Sequence, residues 1–166
     1  MSLGTNLSLG PVSGSTRISS QALTGRQFLF PFGEATEPRI VFRVIRPDEN
    51  PLTGLLARNP TSTASPSFAV SRGSTFPTQF IPTTADLNVA LGEARLSGNA
   101  VVAIDLTKLP AGARVIDLSS GAARDAAGLL HPIARNFARA SAEILIEIEV
   151  PAEAILDYVP IGVGRP

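Results

Sequence analysis

From Arg39 to Arg46 apolar residues fall on both faces of an extended segment, Ile40, Phe42 and Val44 alternating with Val41, Arg43 and Ile45, until Pro47 ends the run. This predicts a strand that carries one arginine among aliphatic neighbours. Asp48 to Ser67 mixes Pro, Asn, Thr and Ser around Leu55-Leu56, which predicts a short helix and a long surface loop, and Phe68 to Val70 reads as a short strand. Asp86 is placed to cap a helix over Leu87 to Ser97, whose apolar positions Leu87, Ala90, Leu91 and Ala94 keep helical spacing up to Gly98. Val101 to Leu106 and Val115 to Leu118 read as strands on either side of the turn from Lys108 to Gly112. Alanine-rich Ser119 to Asn136 predicts one or two short helices broken near Pro132. In the last strong element, Glu143 to Val150, strict alternation puts Ile144, Ile146, Ile148 and Val150 on one face and Glu143, Leu145, Glu147 and Glu149 on the other.

These elements add up to a sheet-rich α+β fold of single-domain size, since 166 residues are enough for one core and too few for two ordinary ones. Residues 1 to 27, rich in Gly, Ser and Thr, read as a leader or linker, and residues 28 to 166 as the domain. Phe28-Leu29-Phe30, between the leader and Pro31, is a short strand or an anchor. The N-terminus lacks the basic start and continuous apolar run of a secretory signal, so export would need another route.

Composition then removes whole classes of chemistry. With no cysteine there is no disulfide framework, thiolate metal site or cysteine nucleophile, and a lone His131 rules out multi-histidine metal centres. No metal site is expected. Fourteen basic residues balance fourteen acidic ones, so strong nucleic-acid binding is not expected, and no apolar run approaches the length of a membrane span.

Three polar features remain at strands or strand ends: Arg43, the Thr83-Thr84 pair ahead of a helix, and Glu143 opening the isoleucine-rich strand. A planar guanidinium suits phosphate or carboxylate. Small hydroxyls at a helix start can hold a sugar or phosphate, and a carboxylate can stabilise positive charge developing on a ribose. Together these groups suit cleavage of an N-glycosidic bond.

The order VFRVIRPDEN, QFIPTTADLNVA, GNAVVAIDLTKLPAGARVIDLS and SAEILIEIEVPAEAI resembles the ADP-ribosyltransferase domains of bacterial toxins over roughly residues 39 to 159. Those domains carry an Arg on an early strand, a Ser-Thr-Ser type motif leading into a helix and a Glu opening a late strand. The resemblance implies two small antiparallel sheets forming an NAD-binding cleft with a few short helices. It implies transfer of ADP-ribose from NAD to an unknown macromolecular acceptor, with release of nicotinamide, by a toxin or effector with a delivery module or an immunity protein as partner. Arg43 would contact the NAD phosphates, Thr83 and Thr84 would support the nicotinamide-ribose region, and Glu143 would be the catalytic carboxylate. Phe80 and Tyr158 are the aromatic candidates to stack on nicotinamide. Pro82 stands where the family motif begins with serine, and Ser141 stands two residues before Glu143, where arginine-modifying members carry Glu or Gln.

Plainer uses stay open for each feature. Arg43 can pair with Glu147 or Glu149 across the sheet or with Glu143, the threonines can be part of a helix start, Glu143 can belong to the wet side of a strand, and Phe80 can serve packing. Two other functions fit the same features: an NAD glycohydrolase on the same fold, and a non-enzymatic binding or structural module suggested by 14 prolines, 14 glycines and a charged fraction of 17%.

Overall fold

The computed structural model of the protein describes residues 39–159; the expected leader and the Phe28-Leu29-Phe30 anchor lie outside the described residues, as does the side chain of Tyr158. The chain forms a mixed α+β fold. A six-stranded antiparallel sheet has the order β5 (Val115–Asp117), β6 (Glu143–Glu147), β3 (Phe80–Thr84), β1 (Ile40–Val44), β4 (Val101–Asp105), β8 (Ile155–Val159). A two-stranded sheet pairs β2 (Leu55–Leu56) with β7 (Glu149–Val150). Among the described residues four α-helices complete it: α1 (Pro66–Arg72), α2 (Leu87–Ser97), α3 (Gly121–Ala126) and α4 (Pro132–Ala140). Among the described residues no helix is long and apolar enough to cross a membrane.

One joint in the large sheet is weak. β1 runs along β4 from Ile40 opposite Asp105 to Val44 opposite Val101, and β3 runs along β6 from Phe80 opposite Glu147 to Thr84 opposite Glu143. Between β1 and β3 the register holds a single pair, Phe42 opposite Thr84. The six strands therefore form one sheet whose two three-stranded halves share a single register pair. Pro82 explains part of this. Its carbonyl accepts a hydrogen bond from the Arg43 side chain rather than from a β1 backbone N–H. In an antiparallel ladder the N and O of one residue point to the same side, so its missing N–H falls where no strand pairs and nothing is lost.

One face of the sheet buries Val41, Ile45, Ile81, Val102, Ile104, Ile144 and Ile146 together with Leu55 and Val150 of the small sheet. The other face is covered in two separate patches. α2 presses Ala90 and Ala94 onto Val101, Phe42 and Val44, while α4 presses Ala134 and Ala138 into a cluster with Phe80, Leu118, Leu129 and Leu145. Alanines four apart let each helix approach the sheet closely. The weak joint lies between the two patches.

α2 spans its expected range, with the Asp86 side chain accepting from Asn88 N–H and Gly98 closing the helix at φ +73°. Phe68 to Val70 lies in α1 and not in a strand: the Ser65 hydroxyl accepts from Phe68 N–H and Pro66 occupies the first turn, a start signal that outweighs three residues of β-compatible composition. Leu55-Leu56 forms β2 instead of a helix because Pro51 to Thr53 makes only one tight turn before Gly54. The short helices expected between Ser119 and Asn136 are α3 and α4, and the break between them ends at Pro132, which opens α4. The last expected strand divides into β6 and β7 at Ile148, whose φ of +71° interrupts the alternation and leaves its side chain exposed.

Candidate functional site

The split between the two half-sheets opens into two adjoining cavities. The smaller, about 120 Å³, has walls from Arg43 of β1, Thr83 and Thr84 of β3, Glu93 of α2, and Ser141 and Glu143 at the start of β6. The larger, about 410 Å³, shares Arg43, Pro82, Glu93 and Glu143 with it and extends past Phe80 to Arg46 and Arg58. That volume lies in the range of small-molecule sites. A roomier hollow of about 620 Å³, lined by residues such as Asn50, Leu52 and Leu156, includes none of the expected site residues.

Arg43 is buried, and its partner is Glu49 of the following turn rather than Glu143, Glu147 or Glu149. Nη2 donates to Glu49 Oε1 at 2.8 Å and Nε to Oε2 at 3.3 Å, while Nη1 donates to the Pro82 carbonyl at 2.6 Å. Both side chains of the pair are shielded from water, 5% and 4% exposed. Burial draws the Arg43 pKa down and the Glu49 carboxylate opposes this. Glu49 also accepts from Arg46 N–H at 2.9 Å and pairs with the Arg46 guanidinium at 2.9 Å. The arginine thus ties β1 to β3 across the split, and its fork is already filled by protein groups.

Both threonine hydroxyls are engaged as well. Thr83 Oγ1 donates to the Ile144 carbonyl at 2.7 Å, fastening β3 to β6. Thr84 Oγ1 accepts from Asp86 N–H at 3.0 Å, which shapes the entry to α2. Phe80 is buried in the apolar cluster under α4 and also lines the larger cavity.

Glu143 is the least conventional group. It follows Ala142, held at φ +44°, and stands opposite Thr84. Its carboxyl is buried and accepts from Ser141 Oγ at 2.8 Å. Burial pushes its pKa up to about 7; the Ser141 hydrogen bond pulls against this, and the negative charge of Glu93 adds to the rise. A carboxyl poised near neutrality in a cavity can work as an acid, a base or an electrostatic stabiliser.

Glu49, Glu93 and Arg58 escaped the sequence reading. Glu49 belongs to a polar turn where no periodicity marks it. Glu93 was within reach: once Ala90 and Ala94 fix the buried side of α2, position 93 falls on its flank toward the sheet.

Residues 67–163 match the model of a family described as a domain of unknown function (DUF7587), which is more than half of the 166-residue chain. The chain belongs to that family. The match takes in Thr83, Thr84, Glu93, Ser141 and Glu143 and begins after Arg43 and Glu49, so the family region holds β3 to β8 and α2 to α4, while β1 and β2 precede it. The sequence matches none of the curated proteins compared with it.

Proposed function

We propose that the protein is an NAD-dependent ADP-ribosyltransferase of the toxin or effector type, with its reaction centre at the split in the sheet. The observation that carries this reading is convergence: Arg43, Thr83, Thr84 and Glu143, drawn from three strands and separated by up to a hundred positions, line one cavity. Strand register brings Thr84 opposite Glu143 and beside β1, and the reading rests on a buried guanidinium and a buried carboxyl lining the same cavity there.

On this reading the smaller cavity takes the nicotinamide-ribose end and the larger one the rest of the dinucleotide. The Glu143 carboxylate, once ionised, faces the ribose and stabilises the positive charge that develops as the N-glycosidic bond breaks. Its buried surroundings strengthen that interaction relative to water. Arg43 holds the two half-sheets at a fixed separation. The phosphates fall to Arg58, whose hydrogen bonds among the described residues are long ones, 3.5 and 3.3 Å, to the carbonyls of Gly73 and Ser74. Phe80 supplies an apolar wall.

The deciding experiment is release of nicotinamide from NAD by the purified protein beside a Glu143→Gln variant whose fold is verified by circular dichroism. Turnover that disappears in the variant supports the proposal. Absence of turnover together with absence of NAD binding by calorimetry would overturn it in favour of a non-enzymatic module.

A further inference from the structure

If an ADP-ribosyl group is transferred here, the acceptor must lose a proton, and a group must take it. Glu143 is not suited to that second task, because its buried carboxyl is held by Ser141 and is the group required against the ribose. Ser141 is no substitute. Its hydroxyl donates to Glu143 Oε2 and lies 2.9 Å from the Phe137 carbonyl, and an alcohol does not accept a proton at neutral pH.

The two cavities contain one other carboxylate, Glu93, which lines both of them. It is exposed at the mouth of the split, where Glu143 is enclosed. Among the described residues it makes no ion pair and its side chain no hydrogen bond, in contrast to Glu49 beside Arg43. Its position is fixed by the helix that carries it: α2 is anchored by Ala90 and Ala94, both fully buried, and capped by Asp86. Glu93 is one turn beyond Ala90, which itself lines the smaller cavity.

We propose that Glu93 is the general base on the acceptor side, taking the proton of a macromolecular nucleophile that enters through the mouth between α2 and β6. The inference rests on the transferase reading above. The bond between the ribose C1′ and the nicotinamide nitrogen breaks, and its electron pair leaves with nicotinamide, which becomes neutral. The acceptor lone pair forms the new bond to C1′, and the acceptor proton passes to the Glu93 carboxylate and then to solvent. The nucleophile is one that carries a proton to give up, a hydroxyl or a nitrogen with N–H. The acceptor-side carboxylate thereby comes from a helix and not from the strand that carries Glu143.

The test measures two products from one reaction, nicotinamide released from NAD and ADP-ribose bound to protein, with a cell lysate as the acceptor mixture. The ratio of transfer to release is expected to fall about a hundredfold or more in Glu93→Gln, within the usual range for loss of a general base, with partial recovery in Glu93→Asp. Glu153→Gln, outside both cavities, is expected to keep the wild-type ratio. A ratio unchanged in Glu93→Gln, or a wild-type protein that releases nicotinamide but transfers no ADP-ribose, overturns the role of Glu93 while leaving NAD cleavage intact. Absence of Glu143-dependent release in the wild type removes the underlying activity, and the role of Glu93 falls with it.

Discussion

Arg43 and Glu49, six residues apart, close on each other inside the split of the sheet, and the same guanidinium holds the Pro82 carbonyl of the neighbouring strand. A pair so enclosed costs desolvation on both sides; losing Glu49 strands Arg43 without water, whereas losing Arg43 leaves Glu49 its contacts with Arg46. Glu49→Gln is expected to destabilise the protein by about 3 to 5 kcal/mol and Arg43→Ala by less, read as lower midpoints in urea unfolding. Arg43→Met combined with Glu49→Leu is expected to cost much less than the two single losses added together, because no charge is left unpaired. A double variant as unstable as the sum would mean that the residues act independently.

Glu143 is expected to make stability and the proposed activity respond to pH in opposite directions. Its folded pKa of about 7 exceeds the ordinary 4.5, so between those values the folded protein holds a proton that the unfolded chain has lost. Stability contributed by the protonated group is therefore present below about pH 4.5 and is lost as pH rises through 7, by about 3 kcal/mol at most. Glu143→Gln remains neutral throughout. The variant should melt above the wild type at pH 8, and the gap should close near pH 4.5. In the proposed reaction the ionised form acts, so NAD cleavage is expected to rise through pH 7 in the wild type. Equal pH profiles of melting in both proteins would contradict a raised pKa.

Ser141 acts on that titration. Its hydroxyl stabilises the Glu143 carboxylate, so Ser141→Ala removes an influence that lowers the pKa. The midpoint of the pH–rate profile is expected to move upward, with the plateau at high pH reduced less than the rate at pH 6. A merely structural serine would lower the rate at every pH by the same factor, leaving the midpoint where it was.

The sequence revealed a good deal of this framework where signals were redundant. α2 has a capping aspartate, regular alanines and a terminal glycine, each pointing to the same boundaries. β1, β4 and β6 follow from β-branched composition, and Arg43, Thr83, Thr84 and Glu143, singled out for their chemistry, line one cavity. Less legible were features that depend on distant contacts. Leu55-Leu56 becomes a strand only because β7 arrives beside it, and Arg43 takes Glu49 because a six-residue turn folds back, which alternation along a strand cannot announce. The weak joint between β1 and β3 was hidden for the same reason, although Pro82 was its one local sign.

Ile148 offers a prediction about backbone cost. Its φ of +71° is a left-handed conformation that a β-branched residue adopts at a penalty of about 1 to 2 kcal/mol. What holds it there is on the backbone: Ile148 N–H donates to the Gln79 carbonyl at 2.7 Å, and its own carbonyl accepts from Ala57 N–H at 2.8 Å. The side chain is 45% exposed, so it returns little by burial. Ile148→Gly should keep both hydrogen bonds, relieve the strain and raise stability by about 1 kcal/mol after the entropy of a more flexible unfolded chain is set against it. Gly54 is the counter-case beside the same small sheet. At φ +90° a β-carbon would come within 2.6 Å of the Val150 carbonyl, so Gly54→Ala should destabilise the protein and loosen the pairing of Leu55 with Val150. Opposite signs for the two substitutions in thermal melts would show that backbone conformation, rather than side-chain burial, governs this edge; a loss in Ile148→Gly would mean that the isoleucine side chain stabilises more than its conformation costs.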